Sequence, residues 1–262
     1  MMKNQLRIAF QLFLRDMMVL KKDFLGLLVN TLVWPVISAI LFGFILPHFG
    51  SGHTQNFGSF MIAGTLVAIV IVTALQKATD IIVDIQHQKL INFERTLPLS
   101  FGMLVLQKIT TIASISFFYS VIILVVGKII LWNRFSLELA SFPWLFVILI
   151  LANFFFASFA LIIAGWIPTS NKMDNVWMRL YMPALWFGSY MNTWYEFYKM
   201  LPSLAIFMLF NPVTYCMEGL RAAMFGQVGY ISLWIVLGAL SAQFTIACLV
   251  GIYFMKRKLN AI

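Results

Sequence analysis

A metal site, a thiol nucleophile or a carboxylate proton relay would have to be built here from three histidines, two cysteines and nine acidic side chains. Their spacing supplies none of these. His48, His53 and His87 are scattered over two polar stretches, and no His-x-x-x-His or Cys-x-x-Cys ligand set occurs. Gly188-Ser189 lacks the flanks of a Gly-x-Ser-x-Gly elbow. No Gly-rich turn runs into Gly-Lys-Ser/Thr, so the chain is expected not to hydrolyse nucleotide by itself. Cys216 and Cys248 are too few for a disulfide framework, and Cys248 within an apolar run reads as a small core hydrophobe. Besides Arg179, which interrupts an apolar stretch, two segments combine charged and apolar residues in a pattern. In residues 84–100, Leu90, Phe93 and Leu97 recur every three or four positions beside Glu94 and Arg95, giving a loop helix an apolar contact face. In residues 211–226, Asn211-Pro212 opens a short helix in which Glu218 and Arg221, at i and i+3, share a face. That pair reads as structural, because charges near lipid need partners.

The elements that must position these segments are membrane spans. Of 262 residues, 62% are hydrophobic and 10% charged, and the mean hydropathy is +0.93. Soluble domains carry about 25% charged residues, so the chain is a polytopic, all-α integral membrane protein with no room for a soluble catalytic domain. Six apolar stretches are expected to cross: Phe24–Leu46, Phe60–Leu75 with its helix continuing towards Asp84, Ile109–Leu131, Phe142–Ile167, Val176–Trp194 and Ile231–Met255. Residues 4–22 read as an amphipathic helix lying in the interface, with Arg7, Gln11 and Arg15 on one side and Leu6, Phe10, Phe13, Met17 and Leu20 on the other. The whole chain, 1–262, forms one domain. The tryptophans fall mostly near span ends, as interfacial belts do.

The net charge of +9 does not point to nucleic acid, because the basic residues lie in short clusters between apolar runs. With six spans and both termini cytoplasmic, fourteen of the eighteen Lys and Arg fall inside and four outside. Counting Met200–Tyr215 as a seventh span would expel the Lys256-Arg257-Lys258 tail, so 200–222 is expected to be an outer re-entrant hairpin. Ionisable residues are nearly missing from the span interiors, which argues against a proton-driven carrier. If the protein moves something, a partner supplies the energy.

Two segments resemble something specific. Asn-Pro-Val-Thr-Tyr-Cys-Met-Glu-Gly-Leu-Arg-Ala-Ala-Met-Phe-Gly, residues 211–226, is similar to the signature before the last span of the ATP-binding-cassette type-2 permease family. Asn92-Phe93-Glu94-Arg95-Thr96-Leu97-Pro98-Leu99-Ser100 resembles that family's cytoplasmic segment between spans two and three, ending in the expected Leu-Pro-Leu-Ser but lacking the Gly-Thr pair many members have upstream. The resemblance implies an exporter subunit of the cytoplasmic (inner) membrane, paired with a second permease subunit in a homodimer or heterodimer. Two cytoplasmic ATPases would bind the ATP and Mg, with no cofactor in this chain, and the substrate route would lie between the subunits. Leu90, Phe93, Glu94, Arg95 and Leu97 would then contact the ATPase, with Phe93 as apolar anchor and Glu94 and Arg95 at its polar rim. Asn211, Pro212, Glu218 and Arg221 would fix the outer hairpin. Expected substrates are amphiphiles: drugs, lipids or lipid-linked polysaccharides. The competing class is an ATPase-independent membrane enzyme or assembly factor, for which the spans offer only Asn30, Asn153, Ser158 and Gln243.

Overall fold

The computed structural model describes residues 2–22, 24–49, 57–88, 90–135 and 139–260; His53, Lys89, Glu138 and the Asn30 side chain lie outside what it describes. Among the described residues every regular element is helical. In hydrocarbon the backbone has no water to bond, so its polar groups must be satisfied within helices. Polar side chains in the spans follow the same rule. Thr65, Ser116, Ser120, Asn153 and Ser158 each donate to a carbonyl three or four residues back on their own helix.

The helices are α1 (Met2–Lys22), α2 (24–48), α3 (Phe57–His87), α4 (Leu90–Glu94), α5 (Phe101–Leu131), α6 (Phe142–Trp166), α7 (173–186), α8 (Trp194–Met200), α9 (Pro202–Met208), α10 (Pro212–Phe225) and α11 (Leu233–Asn260). Three of them contain or end in wider π turns: Leu41–Ile45 in α2, Asp84–Gln88, which closes α3 one residue past His87, and Trp177–Tyr181 in α7. Thr31–His48 of α2 and all of α3, α5, α6 and α11 are long and apolar enough to cross a bilayer. The core lies along α3, whose apolar stretch is 89% buried against 22% for those of α2 and α11. It packs against α2, α5, α6 and α10. Helix α1 lies against α5, where Met17 and Leu20 join the core, while Leu6 and Phe10 of the expected apolar stripe stay exposed.

The α6–α11 contact decides the number of crossings. Trp144 meets Trp234 edge-on at 4.8 Å between ring centroids, and Phe154 meets Phe244 at 5.8 Å. A Cβ on Gly165 would stand 2.7 Å from the backbone carbon of Phe254. Partners advance together along both helices, so α6 and α11 run parallel, and the chain must recross between them. Residues 170–190 make that return. The Ser170 N–H donates to the Gln86 side chain at 3.4 Å, and the Tyr190 ring sits against Gly64. Gly64 and Gln86 are separated on α3 by about 33 Å at 1.5 Å rise per residue, close to the thickness of a hydrocarbon core. Six crossings result.

The fifth differs from the expected Val176–Trp194. Its helix begins at Met173, widens at Trp177–Tyr181 and stops at Trp186, and a turn over Phe187–Tyr190 completes the passage. Helices α9 and α10 meet at 94°, so the expected hairpin over 200–222 is one sharp bend at Leu209–Asn211, preceded by the unanticipated α8. The bent pair lies towards the end where α6 and α11 begin, since the Ser141 N–H donates to the Ala223 carbonyl at 2.8 Å. The opposite end gathers the second half of α1, α4, the start of α5 and the end of α11. Arg15, Arg95, Lys108 and Lys258 all engage there, and we call it the basic end.

Candidate functional site

At the bent-pair end, Asn211 begins α10 as its sequence position requires. Its Oδ1 accepts from the Val213 N–H at 3.1 Å, and Pro212 occupies the first turn, where no N–H is needed. Its Nδ2 donates to the Ala184 carbonyl at 2.6 Å, and the Thr214 hydroxyl donates to the Met208 carbonyl at 2.8 Å across the bend. Glu218 and Arg221 are fully buried. Among the described residues they form no direct ion pair, contrary to the i, i+3 expectation. Glu218 accepts from the N–H of Trp194 at 2.8 Å, where α8 starts, and of Ile231 at 3.4 Å, just before α11. Arg221 donates to the carbonyls of Ser189 and Tyr190, the latter at 2.7 Å, and its guanidinium lies 3.5 Å over the Phe60 ring. Each charge therefore completes a break in the backbone: the cation takes the free carbonyls beyond α7, the anion the free N–H groups of the next helices. Ser189 has a φ of +65°, a conformation unusual for a residue with a side chain, and Arg221 grips its carbonyl.

At the basic end, the Asp84 carboxylate accepts from the N–H groups of Leu90 at 3.1 Å and Ile91 at 2.9 Å, fixing the start of α4. Phe93 is 61% and Leu90 43% exposed, Leu97 is half-buried, and Ile91 points into the core. Glu94 is not at a polar rim. It is fully buried and accepts from Arg15 of α1 and, at 2.9 Å, from Lys108 of α5. Asp16 closes the network, accepting from Arg15 at 2.6 Å and Gln107 at 3.1 Å with Lys108 at 3.5 Å. Burial disfavours the Arg15 charge, but its bonds to Glu94 and Asp16 outweigh that and hold its pKa above the ordinary value. Arg95, itself exposed, reaches across to α11, donating to the Leu259 carbonyl at 2.7 Å and the Asn260 side chain at 3.1 Å. Two adjacent residues expected to face a partner thus bind α4 to three other helices, and leave Phe93 and Leu90 as its outward face.

Between the two ends runs a cleft of about 750 Å³, bounded by α2, α3, α5 and the α7 return. It follows α3 from Ala68 to Asp80, roughly 18 Å of helix. Its walls are apolar and aromatic, with Trp34, Tyr119, Trp177, Tyr181, Trp186 and Tyr190. Gln76 and the Lys77–Asp80 pair, bonded at 2.7 Å, mark its polar end. Among the described residues no group of three or more His, Cys, Asp or Glu is placed to hold a metal ion.

The family profile of the ABC-2 type transporter matches residues 9–225, a stretch that holds α4, the cleft and the Asn211–Arg221 motif. The chain belongs to the ABC-2 type transporter family. No curated protein matches it in sequence. As an ABC-2 permease it is the multi-pass membrane subunit of an ATP-binding-cassette transporter, and membership implies association with cassette ATPases. Sequence reasoning placed the two segments of this permease but missed the cleft, Asp84 as the α4 cap, and Asp16 and Lys108 as partners around Glu94. Only Asp84 left a signal, an acidic residue shortly before a short apolar helix. The others meet across different helices.

Proposed function

We propose that this permease forms, with a second permease subunit, the membrane path of an ATP-driven exporter, and that residues 84–100 receive the motion of cytoplasmic ATPase subunits. The observation that carries the reading is Phe93: a large apolar side chain left exposed on a short helix that its N-terminal cap, Glu94 and the adjacent Arg95 tie to the bundle. An aromatic held rigidly and unpartnered makes a hot spot at little entropic cost. The basic end is then cytoplasmic, with both termini, in the cytoplasmic membrane, and ATP and Mg are bound by the ATPase. Leu90 and Leu97 flank the anchor, and Glu94 and Arg95 hold it from behind. The cleft supports passage of an amphiphile, since its apolar and aromatic walls suit a hydrophobic body and Gln76, Lys77 and Asp80 suit a polar head. The second subunit would close its open side.

The test is co-purification with the cognate ATPase and permease-stimulated ATP hydrolysis in lipid, at matched membrane expression. Phe93→Ala is expected to weaken docking by about 2 kcal/mol, roughly thirtyfold, and to lower stimulation accordingly. Unchanged association and hydrolysis would remove the segment as the coupling element. A wild-type permease that binds no ATPase would favour the membrane enzyme or assembly factor instead.

A further inference from the structure

Arg95 stands beside the proposed anchor and reaches away from it. Its Nη1 donates to the Leu259 carbonyl at 2.7 Å and its Nη2 to the Asn260 side chain at 3.1 Å, at the C-terminal end of α11. The last carbonyls of a helix lack partners within it and carry the negative end of its dipole, so a guanidinium there is a directional bond. One residue earlier in α11, the Lys258 ammonium donates to the Ala164 carbonyl at 2.7 Å and the Ile167 carbonyl at 2.6 Å, completing the end of α6 in the same way. Between these bonds α6 and α11 touch backbone to backbone, for a Cβ on Gly165 would stand 2.8 Å from the Met255 nitrogen. The last span cannot shift lengthwise without taking α6 along or parting the two backbones.

We propose that Arg95 is a positioning residue that latches α4 to α11, so that displacement of Phe93 is delivered through Lys258 to α6 as well as along the chain to α3 and α5. The inference rests on the reading of residues 84–100 as the ATPase-facing segment. Without the latch, a push on α4 reaches its sequence neighbours directly, and through Glu94 it reaches α1 and α5. With it, the parallel α6–α11 pair moves too. Arg95 touches neither ATPase nor substrate in this scheme, so its loss uncouples without undocking.

The experiment uses the permease–ATPase complex in lipid. Arg95→Gln is expected to retain ATPase association within about twofold, while permease-stimulated hydrolysis falls roughly tenfold. Arg95→Lys, which keeps the cation and one bond, recovers part of it. Hydrogen exchange on the permease alone is the second readout: Arg95→Gln should deprotect amides near 255–260 and 164–167 together. Association lost in step with hydrolysis in Arg95→Gln would make the residue a docking contact and overturn the latch. Unchanged protection at both helix ends would overturn it as well. A wild-type complex that contains no ATPase overturns the functional reading beneath it, a failure told apart by the association measurement.

Discussion

Buried charges in this permease answer to the backbone rather than to each other. Glu218 and Arg221 share a face of α10, yet each is bonded to groups that helix breaks leave free, the N–H of Trp194 and Ile231 for one and the carbonyls of Ser189 and Tyr190 for the other. A donor cannot take over an acceptor's role here. Exchanging the two charges (Glu218→Arg with Arg221→Glu) is therefore expected to be worse than either single change, where a mutual ion pair would have been restored. Arg221→Met should destabilise by about 1–3 kcal/mol through its orphaned carbonyls, and Arg221→Lys by less, because an ammonium still donates. Thermal unfolding in detergent of the five variants checks the order; recovery in the exchanged variant would reinstate the direct pair. The sequence showed that both residues matter to the hairpin, since charges beside lipid must be compensated. It did not show by what, because Ser189, Tyr190 and Ile231 come within reach only after the chain has recrossed and turned back.

Among the helices, what was legible and what was not divide along the range of the interactions responsible. Long apolar runs declare α2, α3, α5, α6 and α11 because span length and hydropathy are local properties. Asn211-Pro212 declares the bend for the same reason. The early end of α7 does not follow from local preference: Asn211 takes its Ala184 carbonyl from another helix, and Gly188 turns where a Cβ would stand 2.4 Å from Val213. The α6–α11 contact is likewise tertiary, and there a single methyl group decides. Gly165→Ala would drive a carbon to 2.7 Å from the Phe254 backbone, so the helices must separate. A loss of about 1–3 kcal/mol is expected, the usual cost of overpacking. Gly238→Ala on α11, where nothing lies within 4 Å, should be neutral or slightly stabilising through helix propensity. Melting temperatures of the two variants in one detergent decide the matter; equal effects would mean that close approach is not what Gly165 provides.

For the molecule as a whole, six crossings put the bent pair and the basic end on opposite sides of the membrane. Val228→Cys, at a site 95% exposed, is expected to react with an impermeant thiol reagent in intact cells, and Phe93→Cys only after the membrane is opened. The reverse pattern would invert the orientation, and labelling of both in intact cells would break the six-crossing topology. A different consequence follows from the wider turns in α2 and α7. A π turn holds one residue more than the α turn it replaces, so closing it to an α turn with every residue kept would swing everything beyond it by about 100° around the helix axis. After Trp177–Tyr181 this would carry Leu185 and Trp186 out of the cleft and bring lipid-facing side chains in. The inner wall of the pathway is thus written partly in how the helix is wound and not only in the kinds of its residues. Dropping the extra residue from the turn leaves the lining where it is, whereas closing the turn with all residues kept gives the passage a different interior without altering a single side chain.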